Sequence, residues 1–149
     1  MTYQLFYPLF VMFLLTTTLS VYMLYVRVRD ATSGKMSPKY FLTFNVGDPT
    51  MDVVKTQRHY TNLFELPVLF YLVVVLAMIF KLDSNVFLFM AWLFVISRVV
   101  HTVIHVGSNK LYPRMAAFFA GFGILIIMWV LVALRVINGP QGRMERLGF

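Results

Sequence analysis

Three polar side chains stand at helical spacing at the start of an apolar stretch, and their types could bind a ligand. Arg58, Asn62 and Glu65 stand at i, i+4 and i+7, which places them on one face of a continuous helix. Pro67 lacks the N–H that the carbonyl of Leu63 would bind, so we expect a kink beside Glu65. Polar groups in apolar surroundings are costly without a partner, and the row therefore predicts a ligand site or a buried network that ties helices together.

A second polar row lies in the next apolar stretch. Arg98, His101 and His105 stand at i, i+3 and i+7, again on one helix face. Arg114 follows shortly after, near the positive N-terminal end of the next predicted helix. Several cations with one carboxylate suit an anionic ligand that also carries an amine.

A metal site is the competing interpretation of these residues. His101 and His105, four residues apart, are able to share one metal, with Glu65 as a third ligand. The surrounding arginines would repel a cation, however, and we expect no metal. The chain has no cysteine, so thiol chemistry here requires a thiol supplied by a ligand.

The elements that must position these residues follow from composition. Of the 149 residues, 60% are hydrophobic and 13% are charged, and the mean hydropathy is +0.77. Four apolar runs are long enough to span a bilayer, and they predict helices at about 5–27, 58–80, 86–106 and 115–137, joined first by a long loop at 28–57. We expect residues 1–149 to form a single all-α integral membrane domain, a four-helix bundle whose first run is a span and not a cleaved signal.

Basic residues between the runs predict the orientation. The first and third loops with their flanks hold eight of them: Arg27, Arg29, Lys35, Lys39, Lys55, Arg58, Lys110 and Arg114. The other side holds Lys81, Arg135, Arg143 and Arg146. The positive-inside rule then places loops one and three in the cytoplasm and both termini outside. The net charge of +7 fits contact with anionic lipids, and we expect no nucleic-acid partner.

These residues also carry a family resemblance. The segments concerned are Arg58-x-x-x-Asn62-x-x-Glu65-x-Pro67, Arg98-Val99-Val100-His101 and Pro113-Arg114. They resemble the MAPEG superfamily, the membrane-associated proteins in eicosanoid and glutathione metabolism, and look most like its bacterial branch. The resemblance implies a four-helix protomer, usually a homotrimer, with glutathione bound between protomers on the cytoplasmic side. A bacterial inner membrane is the expected location.

The resemblance also implies roles for particular residues. The glutathione-contacting positions match Arg27, Arg58, Asn62, Glu65 and His101, and His105 joins the predicted site one turn further on. Arg114 matches the arginine that stabilises the thiolate. The implied activity is that of a glutathione-dependent transferase or peroxidase acting on lipophilic electrophiles or lipid hydroperoxides.

Some positions differ from the family pattern and keep a second function open. Thr61, His105, Met115 and Phe118 stand where better-known members carry arginine, tyrosine, a hydroxyl residue and tyrosine. Each difference removes a possible hydrogen bond to the tripeptide. The alternative is a non-catalytic accessory subunit or lipid-binding scaffold of the same fold, so the sequence leans toward an enzyme without deciding it.

Overall fold

The chain folds into long apolar helices. The computed structural model describes residues 2–37, 39–43, 48–82 and 84–139; the tail residues Arg143 and Arg146, used to predict orientation, lie outside them. Within the described residues, four helical segments are long and apolar enough to cross a membrane: Tyr3–Thr32, Met51–Ile79, Asn85–Val106 and Leu111–Asn138. The predicted all-α architecture with four membrane-spanning helices is confirmed.

The helices extend beyond the apolar runs. They are α1 (Phe6–Thr32), α2 (Tyr40–Thr43), α3 (Met51–Leu63), α4 (Leu66–Ile79), α5 (Asn85–Val106) and α6 (Leu111–Asn138), with a short 3-10 helix at Thr2–Leu5. The second span begins at Met51, well before the predicted 58, because Thr50 caps α3. Its hydroxyl accepts the backbone N–H of Val53 at 3.3 Å. Hydropathy marks the apolar part of a span, whereas capping marks where the helix begins.

The second span is interrupted where the sequence predicts a kink. Helix α3 ends at Leu63 and α4 begins at Leu66, and Glu65 between them has φ −93° and ψ −86°. Pro67, in the first turn of α4, has no N–H to continue the ladder of α3. Because the helix is broken before Glu65, the i, i+7 spacing no longer relates Glu65 to Arg58.

Aliphatic side chains, together with phenylalanines and methionines, form the shared core of the bundle. Phe70 of α4 stacks on Phe94 of α5 with ring centroids 4.5 Å apart, and both side chains are fully buried. Met12 of α1 and Met128 of α6 reach the same core. Many large apolar side chains of the four spans point outward and are exposed, which is the pattern expected of helices that face lipid.

Helices α5 and α6 pack closely around a buried arginine. The guanidinium of Arg98 donates to the carbonyl oxygens of Ala117 (2.9 Å) and Phe118 (3.2 Å) on α6. Gly121 leaves room for it, since a Cβ there would overlap the guanidinium and the hydroxyl of Ser97. Arg98 therefore fixes α6 against α5 near the start of α6.

A charged junction joins the end of α1 to the start of α3. Arg29 binds the buried Asp30 at 2.7 Å and the exposed Asp52 at 3.0 Å. The hydroxyl of Thr50, the N-cap of α3, also donates to Asp30. Every group in this junction has a partner of opposite charge or polarity, so it serves to hold the two helices together.

Candidate functional site

A cavity of about 450 Å³ opens at the end of the bundle where the C-terminal half of α3 lies beside the passage from α5 into α6. Successive spans run in opposite directions, so this end carries the first and third loops. Three helices line the cavity: α3 with Arg58, Thr61 and Asn62, α5 with His101 and His105, and α6 with Arg114, Met115, Phe118 and Phe119. Residues that are distant in sequence therefore meet at one end of the bundle.

Most of the residues singled out in the sequence line this cavity. Two guanidinium groups (Arg58 and Arg114), one amide (Asn62) and two imidazoles (His101 and His105) face it together. No carboxylate lines it within the described part of the chain. The cavity thus presents positive charge and hydrogen-bond donors without an internal anion to neutralise them, which suits an anionic ligand.

Arg114 is held from two sides. Its Nη1 donates to Oδ1 of Asn109 at 2.7 Å. Its backbone carbonyl lies 3.1 Å from Nδ1 of His101; because a carbonyl oxygen only accepts, this ring nitrogen is the donor. The side chain of His101 on α5 therefore fixes the first turn of α6. Asn109, in the loop before α6, fixes the guanidinium of Arg114.

Arg27 and Glu65 are not brought to the cavity within this chain. The guanidinium carbon of Arg27 lies over the ring of Phe41, 5.2 Å from its centroid. Glu65 is exposed beside the helix break and forms no ion pair within the described part of the chain. Within the described part of one protomer, Glu65 therefore pairs with neither Arg58 nor Arg98.

All three histidines of the chain form a cluster that helical spacing does not predict. His59 of α3 is buried against the two histidines of α5, with ring centroids 4.8 Å from His105 and 5.7 Å from His101. Nε2 of His59 lies 3.1 Å from Oγ1 of Thr102. His59 directly follows Arg58, but helical spacing alone does not reveal that it turns toward α5. We call His59, His101 and His105 the histidine cluster.

The described residues do not bring together the three ligands of the metal interpretation. Among the described residues, no group of three His, Asp or Glu side chains is arranged to hold a metal ion. His101 and His105 lie together, but Glu65, the third ligand of that interpretation, is not among the residues that line their cavity. Nδ1 of His59, Nε2 of His101 and Nδ1 of His105 are buried and have no hydrogen-bond partner in the described ranges of the chain.

An apolar groove of about 380 Å³ lies deeper in the membrane-spanning part, between α4 and α6. Its walls include Leu69 of α4 and Phe122 and Trp129 of α6. Phe122 stands one helical turn beyond Phe118, which lines the polar cavity. The polar cavity and the apolar groove therefore follow each other along α6.

The fold and the cavity define an all-α membrane protein with four spans and a cationic site at one end of its bundle. The MAPEG family model matches residues 5–134, nearly the whole chain, and the chain belongs to the MAPEG family. Family membership agrees with the resemblance carried by Arg58, Asn62, His101 and Arg114. A search of the curated proteins found no match.

Proposed function

We propose that the protein is a glutathione-dependent transferase or peroxidase that acts on lipophilic electrophiles or lipid hydroperoxides. The observation that carries the proposal is the cavity that Arg58, Asn62 and Arg114 line together, with no carboxylate among the described residues of its wall. It opens where α5 ends and α6 begins, and an apolar groove follows it along α6. A water-soluble anion and a lipid-soluble partner can meet there.

The donors that line the cavity fit glutathione. The tripeptide has two carboxylates, which Arg58 and the amide of Asn62 are able to bind through N–H groups. It also has a thiol, which is the nucleophile that a chain without cysteine lacks. Thr61 contributes less than its hydroxyl suggests, because that hydroxyl donates to the carbonyl of Gln57 at 3.2 Å.

Arg114 is the residue proposed to activate the thiol. A free thiol is mostly protonated at neutral pH, and a nearby guanidinium favours the thiolate. The effect is strong where water is scarce, and Met115, Phe118 and Phe119 form an apolar wall on the same helix. Arg114 would stabilise negative charge at sulfur, while Arg58 and Asn62 hold the rest of the ligand.

The lipophilic substrate is proposed to reach the cavity through the membrane. The groove at Leu69, Phe122 and Trp129 is lined by apolar side chains and continues along α6 toward Phe118. Such a path would deliver an electrophile from the hydrocarbon region to the sulfur without passing through water. The affinity of such an apolar surface for a ligand depends mainly on the apolar area that is buried. It therefore discriminates weakly between ligands, which suits a broad range of substrates.

Assembly and orientation belong to the same proposal. Glu65 lies exposed within the second span, and an unpaired carboxylate at that depth is costly unless a neighbouring molecule covers it. A homotrimer, as the family resemblance implies, would cover this face and bring the Arg27 of a neighbouring copy within reach of the cavity. Loops one and three are proposed to be cytoplasmic, with the protein in a bacterial inner membrane.

A non-catalytic accessory subunit or lipid-binding scaffold is the second candidate. It is favoured by one observation: Met115 and Phe118, which replace hydrogen-bonding residues of the family pattern, do line the cavity. An apolar wall beside two arginines also suits an anionic lipid, with the headgroup at the arginines and the chains along α6. This reading needs no thiolate.

Isothermal titration of the detergent-solubilised protein with glutathione tests the first candidate. We expect saturable binding, together with the ultraviolet absorbance of a thiolate at a pH where free glutathione is mostly a thiol. S-methylglutathione is the control, since it binds without producing the thiolate band. Saturable binding of anionic lipid, with neither glutathione binding nor a thiolate band, would establish the second candidate in place of the first.

A further inference from the structure

The loop between α5 and α6 has an unusual backbone at the residue that contacts Arg114. Asn109 has φ +49°, in the left-handed region that most side chains avoid and that Asn, Asp and Gly adopt most readily. Its N–H donates to the carbonyl of Ile104 at 2.7 Å, which closes the last turn of α5. The backbone conformation therefore fixes the position from which the Asn109 side chain extends.

From this position the Asn109 amide holds Arg114. Oδ1 of Asn109 accepts Nη1 of Arg114 at 2.7 Å, and the Asn109 side chain is partly buried. A guanidinium has five N–H donors. Asn109 is the one side-chain acceptor that the structure shows for the Arg114 guanidinium among the described residues, so the other donors remain for a ligand in the cavity that Arg114 lines.

The chemistry of the acceptor matters as much as its position. Arg29, at the junction of α1 and α3, is held by the carboxylates of Asp30 and Asp52, which neutralise its charge. Arg114 is held by a neutral amide, which orients the guanidinium and leaves its full charge to act on a ligand. An aspartate would adopt the same backbone conformation at position 109 but would pair with the cation.

We propose that Asn109 is a positioning residue that aims the Arg114 guanidinium into the cavity without neutralising it. The inference rests on the proposed thiolate-stabilising role of Arg114 and adds the group that gives this arginine its orientation and preserves its charge. Two substitutions separate these effects. Asn109→Gly keeps the backbone conformation and removes the acceptor, whereas Asn109→Asp keeps the acceptor and adds a negative charge.

The experiment measures each variant in two ways. In the glutathione-free protein, phenylglyoxal labelling of the Arg114 peptide, followed by mass spectrometry, reports how firmly the guanidinium is held. We expect Asn109→Gly to label at least about threefold faster, since one charge-assisted hydrogen bond is lost, and Asn109→Asp to label no faster than the unmutated protein. With glutathione, we expect both variants to form the thiolate only at higher pH, with kcat reduced about tenfold and KM for glutathione little changed.

The outcomes separate this inference from the proposed function. If the unmutated protein forms the thiolate and Asn109→Gly changes neither labelling nor the pH of thiolate formation, the positioning role is wrong and the proposed function stands. An Asn109→Asp variant with unchanged thiolate formation would likewise overturn the argument from charge. If the unmutated protein forms no thiolate, the proposed function fails, and the labelling rate of Asn109→Gly alone decides whether Asn109 holds the Arg114 guanidinium. Should Asn109→Gly not fold, as judged by circular dichroism, the Asn109→Asp result decides alone.

Discussion

Two regions at the same end of the bundle hold arginines in opposite ways. At the junction of α1 and α3, Arg29 lies within 2.7 Å of Asp30 and 3.0 Å of Asp52. Arg58 and Arg114 line the cavity together, and no carboxylate lies beside them among the residues that the structure describes. An arginine whose charge is already matched inside the chain holds structure together, whereas an arginine that faces an unneutralised cavity is available to a ligand.

The largest expected effect comes from removing the cation of the cavity. Arg114→Ala should lower glutathione conjugation to an aryl halide by roughly 30- to 1000-fold, equivalent to about 2–4 kcal/mol of lost transition-state stabilisation in a dry site. The fold should remain intact, because the Arg114 side chain binds only a loop amide among the described residues. Activity assays and thermal unfolding in detergent measure the two effects separately.

Arg29→Ala is the matched control from the other region. It leaves Asp30 buried without its arginine, so it should lower the unfolding midpoint while the protein that remains folded keeps its kcat. If instead Arg29→Ala abolishes conjugation in folded protein, or Arg114→Ala mainly unfolds the protein, the distinction between the two regions is lost.

A third arginine sharpens the comparison through packing. Gly121→Ala should destabilise the protein by about 1–3 kcal/mol, because the new Cβ would collide with the Arg98 guanidinium that binds α6. Gly123→Ala, two residues along the same helix, meets no atom within 4 Å and should be neutral or slightly stabilising. Equal unfolding midpoints for the two variants would show that Arg98 is not fixed against α6.

The smallest expected effect is on binding alone. Arg58→Ala should weaken glutathione binding about tenfold with kcat little changed, since a carboxylate contact is made equally in the ground state and the transition state. The measurements are the Kd from titration and the separate values of kcat and KM. A fall in kcat as large as that of Arg114→Ala would give the two arginines the same role and would contradict the assignment of thiol activation to Arg114.

Much of the cavity could be predicted from the sequence because its residues repeat at helical spacing. Arg58 with Asn62, and His101 with His105, each share a face within an unbroken helix, and both pairs line the cavity. Glu65 lies in the break between α3 and α4, where the regular helical spacing is interrupted. Arg27 lies over Phe41, and a local pattern does not say toward which neighbour a long side chain will turn.

The sequence by itself determined the four spans, the break before Pro67 and the shared faces of Arg58 with Asn62 and of His101 with His105, because hydropathy, the missing N–H of proline and the helical repeat act over a few residues. Only the tertiary structure decided which faces meet. It brought His59 against His105 and gave the Arg98 guanidinium carbonyl acceptors on α6. It also placed Asn109 within hydrogen-bond distance of Arg114. These contacts depend on how helices rotate and pack against one another and on the conformation of one loop, which no local repeat encodes.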